Sequence, residues 1–199
     1  MQGQSFALVD GQGDPALSAE GREEAAKVCE RLAGEHIDAI YVSSLRRTAQ
    51  TADPLARRLG ITPLVDGDLR EVFLGDWEGG VFREKVIERD PLAVRMFAEQ
   101  RWDVIPGAEP AETFARRVRA AVERIAGAHP DQRVVAFAHG GTIGEILAQA
   151  TGSRPFAFTG ADNASISHVV INEGRWILRR YNDTAHLPAG LTSRPEPLT

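Results

Sequence analysis

Residues 133–142 read Arg133-Val134-Val135-Ala136-Phe137-Ala138-His139-Gly140-Gly141-Thr142. A short apolar run closed by a glycine pair predicts a buried strand. The pattern after Thr142 continues as a helix to about Ala150. A strand that turns directly into a helix is one unit of a parallel α/β sheet. Two glycines at such a turn let a ligand approach the main chain, and the helix N-terminus offers unpaired N–H groups to an anion. His139 stands at that turn, with Gly140 and Thr142 as N–H donors.

The same alternation recurs upstream. Phe6-Ala7-Leu8-Val9 predicts a buried strand, and Asp10 to Pro15 is loop chemistry. Ser18 is an N-cap for a helix to about Ala33, with Ala25, Val28, Cys29 and Leu32 inward and Gly34 as the stop. Ile37 to Val42 predicts a strand closed by Ser43-Ser44. A helix over Arg46 to Leu59 follows, in which Pro54 demands either a kink or a later start.

Downstream of Gly60, a short strand at Pro63 to Val65 precedes an irregular segment, Leu69 to Gly80. Phe82 to Gln100 predicts two short helices broken at Pro91, and Ile105 to Pro110 a loop. Phe114, Val118, Val122 and Ile125 form a helical stripe. Ala164 to Ile171 and Trp176 to Tyr181 predict an antiparallel pair joined at Asn172-Glu173-Gly174. Three prolines after Leu187 mark a frayed tail. The expected fold is α/β, three-layer, with a mostly parallel sheet and helices on both faces. One domain covers 1–187, with a helical insertion at about 82–112 and a tail at 188–199.

Composition narrows the function. The 199 residues carry 23 Lys and Arg against 28 Asp and Glu, a net charge of −5. That balance argues against a nucleic-acid binder, which would be basic. With 43% apolar and 26% charged residues the chain is globular rather than disordered. No run of 18 apolar residues is present, so no helix is expected to span a membrane. Met1-Gln2-Gly3-Gln4-Ser5 does not read as a secretory signal. One cysteine, Cys29, makes no internal disulfide, which fits the cytoplasm. The expected partner is a small phosphorylated or anionic molecule, without a cofactor, and a homodimer is allowed.

Open α/β sheets bind ligands at the carboxyl ends of their strands. Those ends are Asp10, Ser43 and Ser44, the Leu69 to Gly80 segment, and His139. An arginine in the first turn after Ser43-Ser44 reaches the same crevice, and its planar fork suits phosphate oxygens. Arg46 and Arg47 lie about 100° apart on a helix, so one of them faces away. Ser44 is placed to hydrogen-bond an anion. In Leu69-Arg70-Glu71-Val72-Phe73-Leu74-Gly75-Asp76-Trp77-Glu78-Gly79, Glu71 becomes a general acid if burial raises its pKa.

In this order, Leu17 to Gly21, Ser43 to Ala52, Leu69 to Gly79, Val134 to Gly141 and Asn182 to Leu187 resemble the histidine phosphatase superfamily, the phosphoglycerate-mutase-like fold. Gly75-Asp76-Trp77-Glu78-Gly79 resembles its phosphatase branch more than the true mutases. The resemblance implies phosphoryl transfer to a histidine that follows the first strand, without a metal. Two arginines and a second histidine hold the phosphoryl oxygens, and a carboxylate protonates the leaving group. Carried onto this chain, Arg47 is the second arginine, His139 the second histidine and Glu71 the acid. The 82–112 segment then covers the substrate, where Phe97 and Trp102 either line it or pack in the core.

The chain departs from that family at its first strand. The family reads Arg-His-Gly there, whereas Leu8-Val9 is followed by Asp10-Gly11-Gln12-Gly13. The first histidine is His36 and the first arginine is Arg22, inside the first predicted helix. Exchanging an arginine for Asp10 moves the pocket about two charges negative, and two unit charges about 4 Å apart interact by about 4 kcal/mol at an effective dielectric of about 20.

Three expectations follow. The first is a degenerate member that keeps the fold and a partial anion pocket but not phosphohistidine chemistry. The second is slow phosphomonoester hydrolysis through water or through Asp10. The third is a binding or regulatory protein on the same scaffold. Asp10, Glu71 and His139 could together offer a metal site, but nothing in their spacing compels one, and no metal is expected. His36 and His129 are expected at the surface. Arg116, Arg117, Arg119 and Arg124 are expected on a solvated helix face.

Overall fold

The structure, a computed structural model, describes residues 8–9 and 11–188. Phe6, Ala7 and Asp10, and the predicted tail beyond Pro188, lie outside the described residues.

Strand β1 (Leu8–Val9) pairs antiparallel with β2 (Gln12–Gly13), so part of the expected loop is a short strand. Helix α1 (Ala19–Leu32) starts where the Ser18 hydroxyl accepts the Gly21 N–H. β3 (Ala39–Val42) leads into α2 (Arg46–Leu59), and Gly60 closes α2 in the left-handed conformation. α2 runs through Pro54 without a break. The cost is one main-chain hydrogen bond to the carbonyl of Gln50, which is exposed to water.

β4 (Leu64–Val65) follows, then two single 3-10 turns at Gly67–Leu69 and Gly75–Trp77. α3 (Val81–Ile87) and α4 (Pro91–Glu99) are separate, as expected from Pro91, which takes the first turn of α4 behind an Asp90 side-chain cap. α5 (Ala111–Ala128), β5 (Val134–Phe137) and α6 (Gly140–Thr151) complete the α/β part. β6 (Ile166–Asn172) and β7 (Arg175–Asp183) form the predicted antiparallel pair.

Among the described residues the parallel sheet has the order β4-β3-β5. The two-residue period of β3 sorts its side chains into two layers. Ile40 and Val42 pack with Val28, Cys29, Ala52 and Leu55 of α1 and α2, whereas Tyr41 packs beneath Ala121 and Ile125 of α5. Helices therefore cover both faces, and Cys29 is part of the packed core. A third cluster joins Trp77, Phe82, Met96, Trp102 and Phe114, between α3, α4 and α5. Trp102 is buried there and Phe97 packs against it, so both have core contacts.

One expectation is corrected. Val134 and Val135 are half-buried and Ala136 is exposed, so β5 is not a fully buried strand. Among the described residues it pairs with β3.

Register positions the site. Val42 pairs with Phe137 in the parallel ladder. The chains leaving β3 and β5 therefore emerge side by side, with Ser43 next to Ala138-His139.

Candidate active site

His139 is 7% exposed at the turn between β5 and α6. Its Nε2 lies 2.8 Å from Ser43 Oγ, and its Nδ1 accepts Arg47 Nε–H across 3.2 Å. Burial presses its pKa well below the usual histidine range, and the charges of Arg47 and Arg117 push the same way. The ring is neutral at physiological pH. Ser43, rather than the neighbouring candidate Ser44, faces the site; Ser44 is exposed.

Arg47 comes from the first turn of α2. Its Nη1 donates to Gly13 O at 3.0 Å. Burial lowers its pKa, while Glu71, Asp14 and Glu78 pull the other way. Arg46 is the arginine that faces away. It is half-exposed, with Nε on Asp14 O at 2.7 Å and its main-chain N–H on Asp14 Oδ1 at 2.9 Å. The buried Asp14 thus caps α2 from outside the helix.

Glu71 sits under the N-terminus of α6. Its Oε2 accepts Gly141 N–H at 3.0 Å, and its Oε1 accepts Thr142 N–H at 3.1 Å and Val72 N–H at 2.9 Å. The Thr142 hydroxyl donates to Arg70 O at 2.8 Å. Burial raises the Glu71 pKa, against the pull of these N–H donors and Arg47. Of the two N–H groups expected to meet a ligand, that of Thr142 is therefore already taken by the Glu71 carboxyl, together with that of Gly141. A β-carbon at position 141 would lie 2.6 Å from Glu71 Oε1, which is why a glycine stands there. The Gly140 N–H has no partner among the described residues, and it points from the same helix end.

Arg117 corrects the solvated-face expectation. It is 9% exposed and grips both oxygens of buried Glu109, with Nε at 2.7 Å and Nη2 at 2.8 Å. Its remaining N–H groups donate to the carbonyls of Asp68, Arg70 and Glu71. It therefore fixes the main chain that carries Glu71. Arg119 and Arg124 are half-exposed, as expected, Arg119 on the exposed Glu123 and Arg124 on the largely buried Asp66.

The segment Gln12–Asp14 closes the other side. Gln12 Nε2 donates to Glu71 O at 2.9 Å and to Val72 O at 3.3 Å. Gly13 N–H donates to Glu78 Oε2 at 2.8 Å, while Glu78 Oε1 takes Leu74 N–H. Gln12, Asp14 and Glu78 are not singled out by the sequence, which marks Ser43 only as a strand end and Arg117 only as a solvated residue. Among the described residues no group of three or more His, Cys, Asp or Glu side chains is placed to hold a metal ion. No helix there is long and apolar enough to cross a membrane.

Chemically the arrangement offers Arg47 and the Gly140 N–H to an oxoanion, a neutral imidazole against Arg47, and a buried carboxyl. Comparison with known proteins shows the family. A family model for the histidine phosphatase superfamily (branch 1) matches residues 3–184. Phosphoglycerate mutase-like protein 4 of Arabidopsis thaliana is 35% identical over 90% of this chain and 79% of its own length. Phosphoserine phosphatase 1 of Hydrogenobacter thermophilus is 31% identical over 87% and 83%. A mycobacterial glucosyl-3-phosphoglycerate phosphatase, solved with inorganic phosphate, superposes with a TM-score of 0.77 at 30% identity, over 93% of this chain and 95% of that one.

Proposed function

Because the chain belongs to the histidine phosphatase superfamily (branch 1), we propose that it is a degenerate member. It retains a partial pocket for a small phosphorylated or anionic molecule and lacks hydrolysis through phosphohistidine. The observation that carries this reading is in the sequence: Asp10-Gly11-Gln12-Gly13 follows the first strand, and no histidine precedes His36.

Physical chemistry supports both halves. Phosphohistidine chemistry needs an imidazole to accept phosphorus. His139, the histidine described at the site, has both ring nitrogens committed to Ser43 and Arg47. Removing the nucleophile from enzymes that use one costs several orders of magnitude in rate. Arg47 and the α6 N-terminus still favour an oxoanion. Three carboxylates near Arg47, those of Glu71, Asp14 and Glu78, weaken that attraction. The names of the relatives, phosphoserine and glucosyl-3-phosphoglycerate phosphatases, favour a small phosphorylated acid as the ligand class. The single thiol, Cys29, is buried and suits a reducing cytoplasm.

The test uses the purified chain with a broad panel of phosphomonoesters, with and without Mg²⁺, beside calorimetric titration with inorganic phosphate. Phosphate binding without turnover is expected. A phospho-imidazole on the native chain, with turnover like that of active relatives, overturns the proposal. An acid-stable, hydroxylamine-labile phosphoryl group at Asp10 moves it to the slow-hydrolase reading.

A further inference from the structure

Two hydroxyls stand in series behind His139, both almost without solvent contact: Ser43 is 2% and Thr48 3% exposed. Their hydrogens can be placed by elimination. Arg47 Nε–H can only donate, so His139 Nδ1 is the acceptor and the ring hydrogen is on Nε2. Nε2–H then donates to Ser43 Oγ at 2.8 Å, and Leu45 N–H donates to the same oxygen at 3.1 Å. With both lone pairs occupied, the Ser43 hydroxyl hydrogen goes to Thr48 Oγ1 at 3.1 Å. The Thr48 hydroxyl donates to Leu45 O at 2.8 Å.

Two of these bonds, His139–Ser43 and Ser43–Thr48, can also run backwards. Thr48 Oγ1–H turns to Ser43 Oγ, Ser43 Oγ–H turns to His139 Nε2, and the ring hydrogen stands on Nδ1. Leu45 O keeps the Thr48 main-chain N–H at 3.1 Å, and Ser43 Oγ keeps the Leu45 N–H. The group that gives up its acceptor in the reversal is Arg47 Nε–H, which then faces Nδ1–H until an oxoanion between them takes both hydrogens. The ring carries one hydrogen in both arrangements, lost from one nitrogen and gained at the other by exchange with water. The hydroxyl hydrogens only rotate.

We propose that Ser43 and Thr48 form a reversible hydrogen-bond relay that sets which face of His139 meets the pocket. In the first arrangement Nδ1 offers Arg47 a lone pair. In the second Nδ1–H donates to an oxygen of an oxoanion held by Arg47. The imidazole answers the anion without acquiring a charge, which suits its burial. Ser43 and Thr48 are positioning residues acting through His139. The inference rests on the anion-pocket reading above and adds the groups that tune it.

The experiment is long-range ¹H–¹⁵N spectroscopy on protein labelled in its five histidines, with His139 assigned by His139→Gln. Without phosphate, Nε2 is expected protonated and Nδ1 bare; saturating inorganic phosphate inverts the pattern. Thr48→Val removes the acceptor for the Ser43 hydroxyl and leaves Nε2 as its one remaining acceptor. This variant should show Nδ1–H before any phosphate is added. Ser43→Ala should abolish the inversion and weaken phosphate binding about tenfold, the worth of one hydrogen bond to a charged group. A merely structural role would not make the two variants differ in tautomer. Phosphate binding with an unchanged tautomer, or a wild-type pattern in Thr48→Val, overturns the relay and leaves the pocket reading standing. If phosphate does not bind, the pocket reading falls, and the Thr48→Val spectrum still decides whether the relay exists.

Discussion

Arg47 Nε–H points into Nδ1 of His139 across 3.2 Å, so the cation and the imidazole meet as donor and acceptor rather than as two positive groups. That contact exists only while the ring is neutral. Protonation at Nδ1 would set two donors against each other in a buried place.

Acidification should therefore destabilise the protein through His139. Its folded pKa is pressed below the ordinary 6.5 by burial and by Arg47. Below 6.5 the unfolded chain takes up a proton that the native state refuses, so stability falls with falling pH. The loss runs at up to about 1.4 kcal/mol per pH unit until the folded pKa is reached. Glu71 acts in the opposite sense. Its folded pKa is raised above 4.5 by burial, so stability falls as pH rises from 4.5 through that raised value. Urea unfolding of wild type and His139→Gln between pH 7 and 5 checks this, the variant losing the descending slope below 6.5.

Gly141→Ala should displace the Glu71 carboxylate from the start of α6, because the new methyl group would lie 2.6 Å from Oε1. Two N–H groups then lose their acceptor and a buried carboxylate loses its donors. A cost of about 2–4 kcal/mol is expected. Glu71→Gln keeps the shape without the charge and should cost less, about 1–2 kcal/mol. Thermal denaturation of the two variants should rank them in that order.

Arg117→Leu should cost about 3–5 kcal/mol, since it leaves Glu109 charged and unpaired in the interior. Adding Glu109→Leu should recover much of that loss. Arg117→Lys should not substitute, because one ammonium cannot reach both Glu109 oxygens and three carbonyls together. Denaturant midpoints of the single and double variants measure the coupling.

Gln12→Ala removes the two bonds that tie Gln12–Asp14 to the carbonyls of Glu71 and Val72. It should lower stability by about 1 kcal/mol and speed hydrogen exchange at Gly13 N–H. Exchange at the α1 amides should not change.

The elements could largely be read from sequence, because each depends on local signals. The Pro91 break, the Gly60 stop and the Phe114-Val118 stripe all fall where expected. Position-specific facing was harder. Ser43 and Ser44 are adjacent, and only the register of β3 against β5 decides which turns inward. Arg117 lies off the Phe114-Val118 stripe, which predicts a solvated face, although it is one turn from Phe114 and its guanidinium stands 4.8 Å from that ring. Its spacing, with Glu109 eight residues earlier, was the available sign of a buried pair. The Glu71 contact with α6 joins segments 70 residues apart, and no local pattern announces it. The strand expected at Phe6–Val9 is described only at Leu8–Val9, where it pairs with β2.

The aromatic cluster has an optical consequence. Trp77 and Trp102 both meet Phe82 in tilted contact, at 6.3 and 5.9 Å between centroids, and Trp102 meets Phe156 at 4.7 Å. The third indole, Trp176, lies beneath the Arg119 guanidinium on β7. The three parallel strands carry no tryptophan at all. Tryptophan emission from this protein therefore watches the α3–α4 layer and β7, while the parallel sheet contributes none.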